Sequence, residues 1–112
     1  MVEQPPKEEI FSIIRALENE PASTQRVLSQ KLGISLGKIN YLLKALIKKG
    51  FVKAKSFSKN PEKMKKIHYL LTEKGFEEKM RLAFHFLKVK EAEYSLLKKE
   101  WEKLSEDKTV KI

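Results

Sequence analysis

Apolar residues in the first half of the chain recur at the spacing of three short helices. The i, i+3, i+4, i+7 pattern of a buried helical stripe fits two sets, namely Ile10, Ile13, Ile14 and Leu17, then Ile39, Leu42, Leu43 and Leu46. Pro21 ends the first helix, because the residue before a proline avoids helical geometry. Thr24 is the expected N-cap of a second helix over 25–32, and Gly33 stops it. Ser35 caps a third helix, 35–50. Two short helices joined at a glycine turn predict a helix-turn-helix.

After residue 50 the period of the apolar pattern changes from helical to alternating. Residues 51–57 alternate between apolar and basic positions, and residues 66–71 are rich in β-formers. Asn60-Pro61, in the segment between them, is a turn signal. A helix-turn-helix followed by such a β-hairpin predicts a winged helix with a mainly α fold and a small β-hairpin.

The last helix is predicted from Glu73 to about Glu106, with Thr72 as its cap, and it carries a heptad pattern. The positions expected to mediate dimerisation form two rows, each repeating every seven residues. The first row contains Phe76, Ala83, Leu97 and Leu104, and the second contains Met80, Leu87, Tyr94 and Trp101. A period of 3.5 residues indicates a coiled-coil seam with a second copy of the chain, which Lys90 interrupts. The predicted domains are therefore a winged helix (1–71), a dimerisation helix (72–106) and a frayed tail (107–112).

Composition limits the classes of function. The 112 residues suit one domain plus an extra helix. The absence of cysteine fits a reducing compartment, and neither a membrane-spanning run nor a signal peptide is recognisable at the sequence level. We therefore expect a cytoplasmic protein that does not associate with membranes.

The net charge of +9 is concentrated in one segment. Residues 36–66 contain ten lysines and a single acidic residue, Glu62, while the rest of the chain is balanced. Such a concentration is the electrostatic footprint of a polyanion partner, although a solvated lysine surface that aids solubility is the simpler alternative.

The outward face of the 35–50 helix, the start of the helix before it and the hairpin tip are the candidate contact regions. The residues expected to contact DNA are Thr24, Gln25, Arg26, Ser35, Leu36, Gly37, Lys38, Asn40, Tyr41, Lys44, Lys59, Lys63 and Lys65. Asn40 is the first candidate for base reading, since an amide bonds bidentately to adenine. Gly37 permits close approach of the helix to DNA. No arginine lies within 36–66, so the wing is expected to add affinity more than specificity.

Catalytic chemistry has little support in the sequence. His68 and His85 lie in different predicted elements and lack the spacing of a metal site. His68 is interpreted as a sheet surface residue and His85 as a packed interface residue. We find no phosphate-binding glycine loop and no nucleophile motif, so we expect neither an enzyme nor a cofactor.

Residues 24–46 resemble the helix-turn-helix of MarR-type winged-helix regulators, and Leu71-Thr72-Glu73-Lys74-Gly75 resembles the junction that follows the wing in that family. The runs 33–41 and 82–88 are similar to a small bacterial subfamily associated with exopolysaccharide gene clusters. The resemblance implies a transcription regulator. Larger MarR proteins have additional helices at both ends, and the short N-terminal arm and single C-terminal helix here weigh against a small-molecule effector site.

Together these patterns predict a homodimeric, sequence-specific regulator that binds double-stranded DNA. Two alternatives remain open: a winged-helix module that binds an acidic protein, and a nucleic-acid-binding protein without sequence preference.

Overall fold

The computed structural model describes residues 6–56 and 67–106. Its elements are α1 (Lys7–Asn19), α2 (Gln25–Leu32), α3 (Leu36–Lys48), β1 (Val52–Ser56), β2 (Ile67–Leu71) and α4 (Glu73–Glu106). The predicted fold is confirmed: a helix-turn-helix, a two-stranded hairpin and a long last helix follow one another along the chain. The hairpin tip and the predicted tail, 107–112, lie outside the described residues.

The caps that the sequence predicted define the helix-turn-helix. The Thr24 side chain accepts a hydrogen bond from the Val27 N–H at 3.2 Å, and the Ser35 side chain accepts one from the Lys38 N–H at 3.2 Å. Both satisfy donors that the first turn of a helix leaves unpaired. Gly33 ends α2 in the left-handed region at φ 67°, a conformation that glycine adopts without steric cost.

A Schellman motif ends α3 and directs the chain into the wing. The Gly50 N–H donates to the Ile47 carbonyl at 3.0 Å, and the Phe51 N–H donates to the Leu46 carbonyl at 2.9 Å. Gly50 lies at φ 83°, as the motif requires. The backbone therefore turns sharply at 50–51 and enters β1.

The two strands form an antiparallel hairpin whose register runs from Val52 opposite Leu71 to Ser56 opposite Ile67. The base of the hairpin is also joined to the turn between α1 and α2. The Tyr69 N–H donates to the Ser23 carbonyl at 2.9 Å, and the two residues form an isolated β-bridge. The wing is thus fixed to the helical domain at its base.

The core is built mainly from the apolar faces of the first three helices, with single side chains from β1, β2 and α4. Its buried side chains include Ile13, Ile14, Leu17, Leu28, Ile39, Leu42, Leu43, Leu46, Val52, Tyr69 and Leu82. The stripes predicted for α1 and α3 are confirmed. Of the apolar residues of α2, Leu28 is fully buried, whereas Val27 is 38% exposed, because this eight-residue helix packs through only a narrow face.

The chain divides into two compact units, Met1–Leu82 and Ala83–Ile112. The first unit contains the winged helix and the start of α4, and the second contains the rest of that helix. The predicted domain boundary at 71/72 remains a prediction. No helix within the described ranges has the length and apolar character of a membrane span.

Candidate nucleic-acid interface

A groove of about 760 Å³ lies between the starts of α2 and α3 and β2, the second strand of the wing. Its lining residues are Thr24, Gln25, Arg26, Val27, Gln30, Leu36, Ile67, His68 and Tyr69. The structure therefore brings together four of the predicted DNA contacts, Thr24 to Arg26 and Leu36. Sequence reasoning missed the rest of the lining, because the groove is formed by elements that are far apart in sequence.

A polar network connects this groove to α3. The Gln25 side-chain amide donates to the Asn40 Oδ1 at 3.0 Å and to the Tyr69 hydroxyl oxygen at 2.9 Å. Tyr69 is buried and Asn40 is half-buried, so two packed neighbours fix the position of the Gln25 amide. Because Oδ1 of Asn40 accepts from Gln25, the Asn40 amide N–H groups are free to act as donors toward a ligand.

The outward face of α3 is as open as its sequence pattern predicted. Leu36 is 46% and Tyr41 53% exposed, and Lys44 is exposed as well. A Cβ atom added at Gly37 would meet nothing within 4 Å. The packing of the protein itself therefore does not require glycine at this position.

Lys38 differs from Lys44, the other lysine predicted to contact DNA from α3. Its ammonium group forms an ion pair with Glu9 of α1, with an N–O distance of 2.8 Å. The side chain is directed to α1 and is partly neutralised there, so its contribution to an anion-binding surface is smaller than the sequence suggested.

The lysines of the wing are only partly described. Lys53 and Lys55 are exposed on β1. The predicted contacts Lys59, Lys63 and Lys65 lie outside the described residues, and their roles remain predictions.

A second cavity of about 360 Å³ lies elsewhere in the first unit. It is lined by Lys7, Ile10, Ala45, Leu46, Lys49, Phe51, Glu78, Arg81 and Leu82. Arg81 donates to both carboxylate oxygens of Glu78, at 2.7 and 2.6 Å. These hydrogen bonds hold the pKa of Glu78 below its ordinary value of 4.5. The only carboxylate in the lining is therefore already paired with Arg81.

The predicted dimerisation residues of α4 are exposed in the single chain. In the second unit the exposed fractions are 56% for Leu87, 65% for Tyr94, 65% for Leu97 and 48% for Trp101. Leu96 is 70% exposed and lies outside the two predicted rows. Sequence reasoning missed Leu96, although Val89 and Leu96 are also seven residues apart.

The two histidines make different contacts. The ring of His68 is half-buried, with its Nδ1 atom 2.7 Å from the Ala22 carbonyl oxygen, which corrects its interpretation as a sheet surface residue. His85 makes an edge contact with Phe86, with ring centroids 5.1 Å apart. Within 6–56 and 67–106, no three His, Cys, Asp or Glu side chains are grouped so that they could hold a metal ion.

Comparison with known proteins supports the fold. Residues 10–53 match the family model described as winged helix-turn-helix DNA-binding. No curated protein sequence gives a significant match.

Three solved structures illustrate the similarity. The PcaV transcriptional regulator from Streptomyces coelicolor, in complex with its natural ligand, is 17% identical, with a TM-score of 0.68 over 95% of this chain and 79% of PcaV. A MarR family transcription regulator is 20% identical, with a TM-score of 0.63 over 90% of this chain and 68% of that protein. Sso10a-2, a DNA-binding protein from Sulfolobus solfataricus, is 26% identical, with a TM-score of 0.68 over 90% of this chain and 97% of Sso10a-2. The chain thus has the winged-helix fold found in MarR regulators and matches Sso10a-2 over nearly its whole length.

Proposed function

We propose that this protein is a homodimeric transcription regulator that binds double-stranded DNA in a sequence-specific manner. The observation that carries the proposal is the convergence of the α2 and α3 N-termini and β2 on one groove. The lysine-rich segment 36–66, which contains the net charge, begins at Leu36 in this groove. The match of residues 10–53, which include α2 and α3, to a DNA-binding family model supports the proposal.

In this proposal α3 enters the major groove and its outward side chains read the bases. Asn40 is the first reader, and Gln25 fixes its orientation through the 3.0 Å hydrogen bond. Lys44 and Tyr41 contact the flanking bases or sugars. Thr24, Arg26 and Ser35 lie at helix N-termini, where backbone N–H groups and side chains suit phosphate oxygens.

The homodimer would place two copies of α3 in successive major grooves. Half-sites one helical turn apart, about 34 Å, follow from two-fold symmetry. The exposed rows of α4 would pair with those of the second copy and set this spacing.

Binding-site selection from random DNA, followed by footprinting at physiological salt, tests the proposal. We expect a palindromic site with two protected half-sites. The resemblance of 33–41 and 82–88 to the exopolysaccharide-associated group makes promoters of such genes the first places to search in the genome. Equal protection of all sequences would contradict a sequence-specific regulator.

A second candidate function is DNA binding without sequence preference. The segment 36–66 contains lysines but no arginine, and arginine is the stronger reader of guanine and of narrow grooves. Sso10a-2, which the chain matches over 97% of that protein's length, is described as a DNA-binding protein. The selection experiment separates the two functions, because a non-specific binder would enrich no motif.

Lys38 and Lys44 of α3 give a prediction about salt dependence. Lys44→Ala should weaken DNA binding and reduce the slope of log K against log [salt] by about 1, the value for one lost phosphate contact. Lys38→Ala should reduce the slope less, because Lys38 already pairs with Glu9. Fluorescence anisotropy between about 50 and 200 mM salt measures both slopes. Equal slopes for the two variants would show that the Glu9 pair opens in the complex.

Gly37→Ala should change stability and DNA affinity in opposite directions. Alanine in a helix is favoured over glycine by roughly 0.5–1 kcal/mol, and the added Cβ meets nothing within 4 Å, so the free protein should gain stability. The same methyl group would separate α3 from the bases and lower affinity roughly tenfold, about 1.4 kcal/mol. Denaturant unfolding and anisotropy measure the two effects. If affinity does not fall, the DNA does not approach α3 closely at this position.

A further inference from the structure

The groove described above contains a row of exposed aliphatic side chains that phosphate contacts do not explain. Leu36 and Ile67 are each 46% exposed, and Val27 is 38% exposed. All three line the same groove. They lie beside the amide of Gln25 and the guanidinium of Arg26, so this part of the surface combines apolar and hydrogen-bonding groups.

Leu36 is the member of this row that α3 carries. It is the first residue of that helix, directly after the Ser35 cap, and the N-terminal residues of a recognition helix are the ones that contact base edges. The helix does not need an apolar residue at this position, because its buried side chains are Ile39, Leu42, Leu43 and Leu46. The exposed leucine is therefore available to a ligand.

The major groove of DNA offers one kind of apolar group on its base edges, the C5-methyl of thymine. The other groups presented there are hydrogen-bond donors and acceptors. An aliphatic side chain that faces base edges therefore gains free energy from thymine and loses it against the polar edges of the other bases.

We propose that Leu36 reads the methyl group of a thymine. This inference rests on the proposed function, and it specifies the DNA: each half-site contains at least one thymine at the start of α3. The donors of Asn40, one helical turn further along, would face a neighbouring base pair with acceptor groups. The occupant of the apolar row is thus DNA, and neither a second protein nor a lipid.

Replacement of thymine by deoxyuridine tests the proposal, since it removes the methyl group and keeps the base-pairing groups. The probes are the selected operator with single deoxyuridine substitutions and a pair of alternating duplexes, d(AT)n and d(AU)n. At one or two positions per half-site we expect the affinity of the wild-type protein to fall about fourfold, the factor for the loss of one buried methyl group.

Two variants show whether Leu36 is responsible. Leu36→Ala should bind the thymine and deoxyuridine operators with equal affinity. Ile67→Ala is the matched control, because Ile67 is equally exposed in the same groove but lies on β2, and it should keep the fourfold ratio. A ratio that persists in Leu36→Ala would overturn the assignment to this residue.

The outcomes also separate this inference from the proposed function. If the protein binds its operator specifically but no deoxyuridine substitution weakens binding, the proposed methyl contact is wrong and the proposed regulator function is unaffected. If no motif is selected but d(AU)n binds about fourfold more weakly than d(AT)n, the methyl contact stands and sequence-specific regulation is wrong. If neither a selected operator nor either alternating duplex binds, both are wrong.

Discussion

Gly75→Ala is expected to destabilise the winged helix by about 3 kcal/mol or more. A Cβ atom at this position would lie 2.1 Å from the Phe51 carbonyl oxygen and 2.6 Å from the Cδ1 atom of Leu71. The carbonyl belongs to the turn between α3 and β1, which hydrogen bonds hold on both sides. The clash therefore involves backbone that has little freedom to move.

Thr72 explains why this turn is held so closely. Its N–H donates to the Phe51 carbonyl at 3.0 Å, and its hydroxyl donates to the Gly50 carbonyl at 2.7 Å. The same hydroxyl accepts from the Gly75 N–H at 3.0 Å and so caps α4. Thr72 thus connects the end of α3 to the start of α4. Displacement of the 50–51 turn would break both the cap of α4 and the hydrogen bonds at the start of the hairpin.

Denaturant unfolding with Gly37→Ala as the control measures the effect. Both variants add one methyl group to a helical glycine, but the methyl at Gly37 meets nothing within 4 Å. We expect opposite signs, a loss for Gly75→Ala and a small gain for the control. If the Gly75→Ala protein is as stable as the wild type, the turn at 50–51 can move away from the added methyl group without loss of folding free energy.

The order of elements was predictable because its determinants are local. The stripes of α1 and α3 and the caps Thr24, Ser35 and Thr72 lie within a few residues of the structures that they define. The resemblance of 71–75 to a family junction includes Gly75, but it does not explain why glycine is needed at this position. Glycine is needed because the Phe51 carbonyl, 24 positions earlier in the sequence, lies against residue 75. A periodic sequence pattern cannot predict such a contact.

The candidate site was less predictable for the same reason. The sequence placed Lys38 and Lys44 together on one helix face, but only the fold shows that Lys38 pairs with Glu9. The sequence pattern identified Tyr69 only as a strand residue. In the structure its hydroxyl oxygen accepts a hydrogen bond from Gln25, 44 residues away. The sequence shows which side chains are charged, polar or apolar. It does not show which residue each of them contacts, because those contacts depend on tertiary packing.

The second half of α4 presents apolar side chains that its own unit does not cover. Within the described part of that unit, residues 83–106, every residue is exposed except Phe86, which is half-buried. Isolated helices gain little stability in water without tertiary packing. The rows containing Leu87, Tyr94, Leu97 and Trp101 therefore support the proposal that a second copy of the chain packs against them.

Leu97→Ala combined with Trp101→Ala should convert the protein to a monomer and weaken operator binding roughly 100-fold or more. The two side chains belong to different rows of the proposed seam, and their removal deletes large apolar contacts on both. A monomer would hold one half-site without the high effective concentration that the second copy provides, which accounts for a factor of about 10²–10⁴. Sedimentation and anisotropy measure the two effects.

The matched control for this variant lies on the same helix. Val89→Ala with Leu96→Ala also removes two exposed apolar side chains, 37% and 70% exposed, from outside the two predicted rows. If the heptad is the interface, the control variant remains a dimer and binds the operator nearly as well as the wild type. If the control dissociates while the Leu97 and Trp101 variant does not, the helices pair through the Val89–Leu96 row. The 3.5-residue pattern would then reflect the amphipathic character of α4 without defining its contact with the second copy.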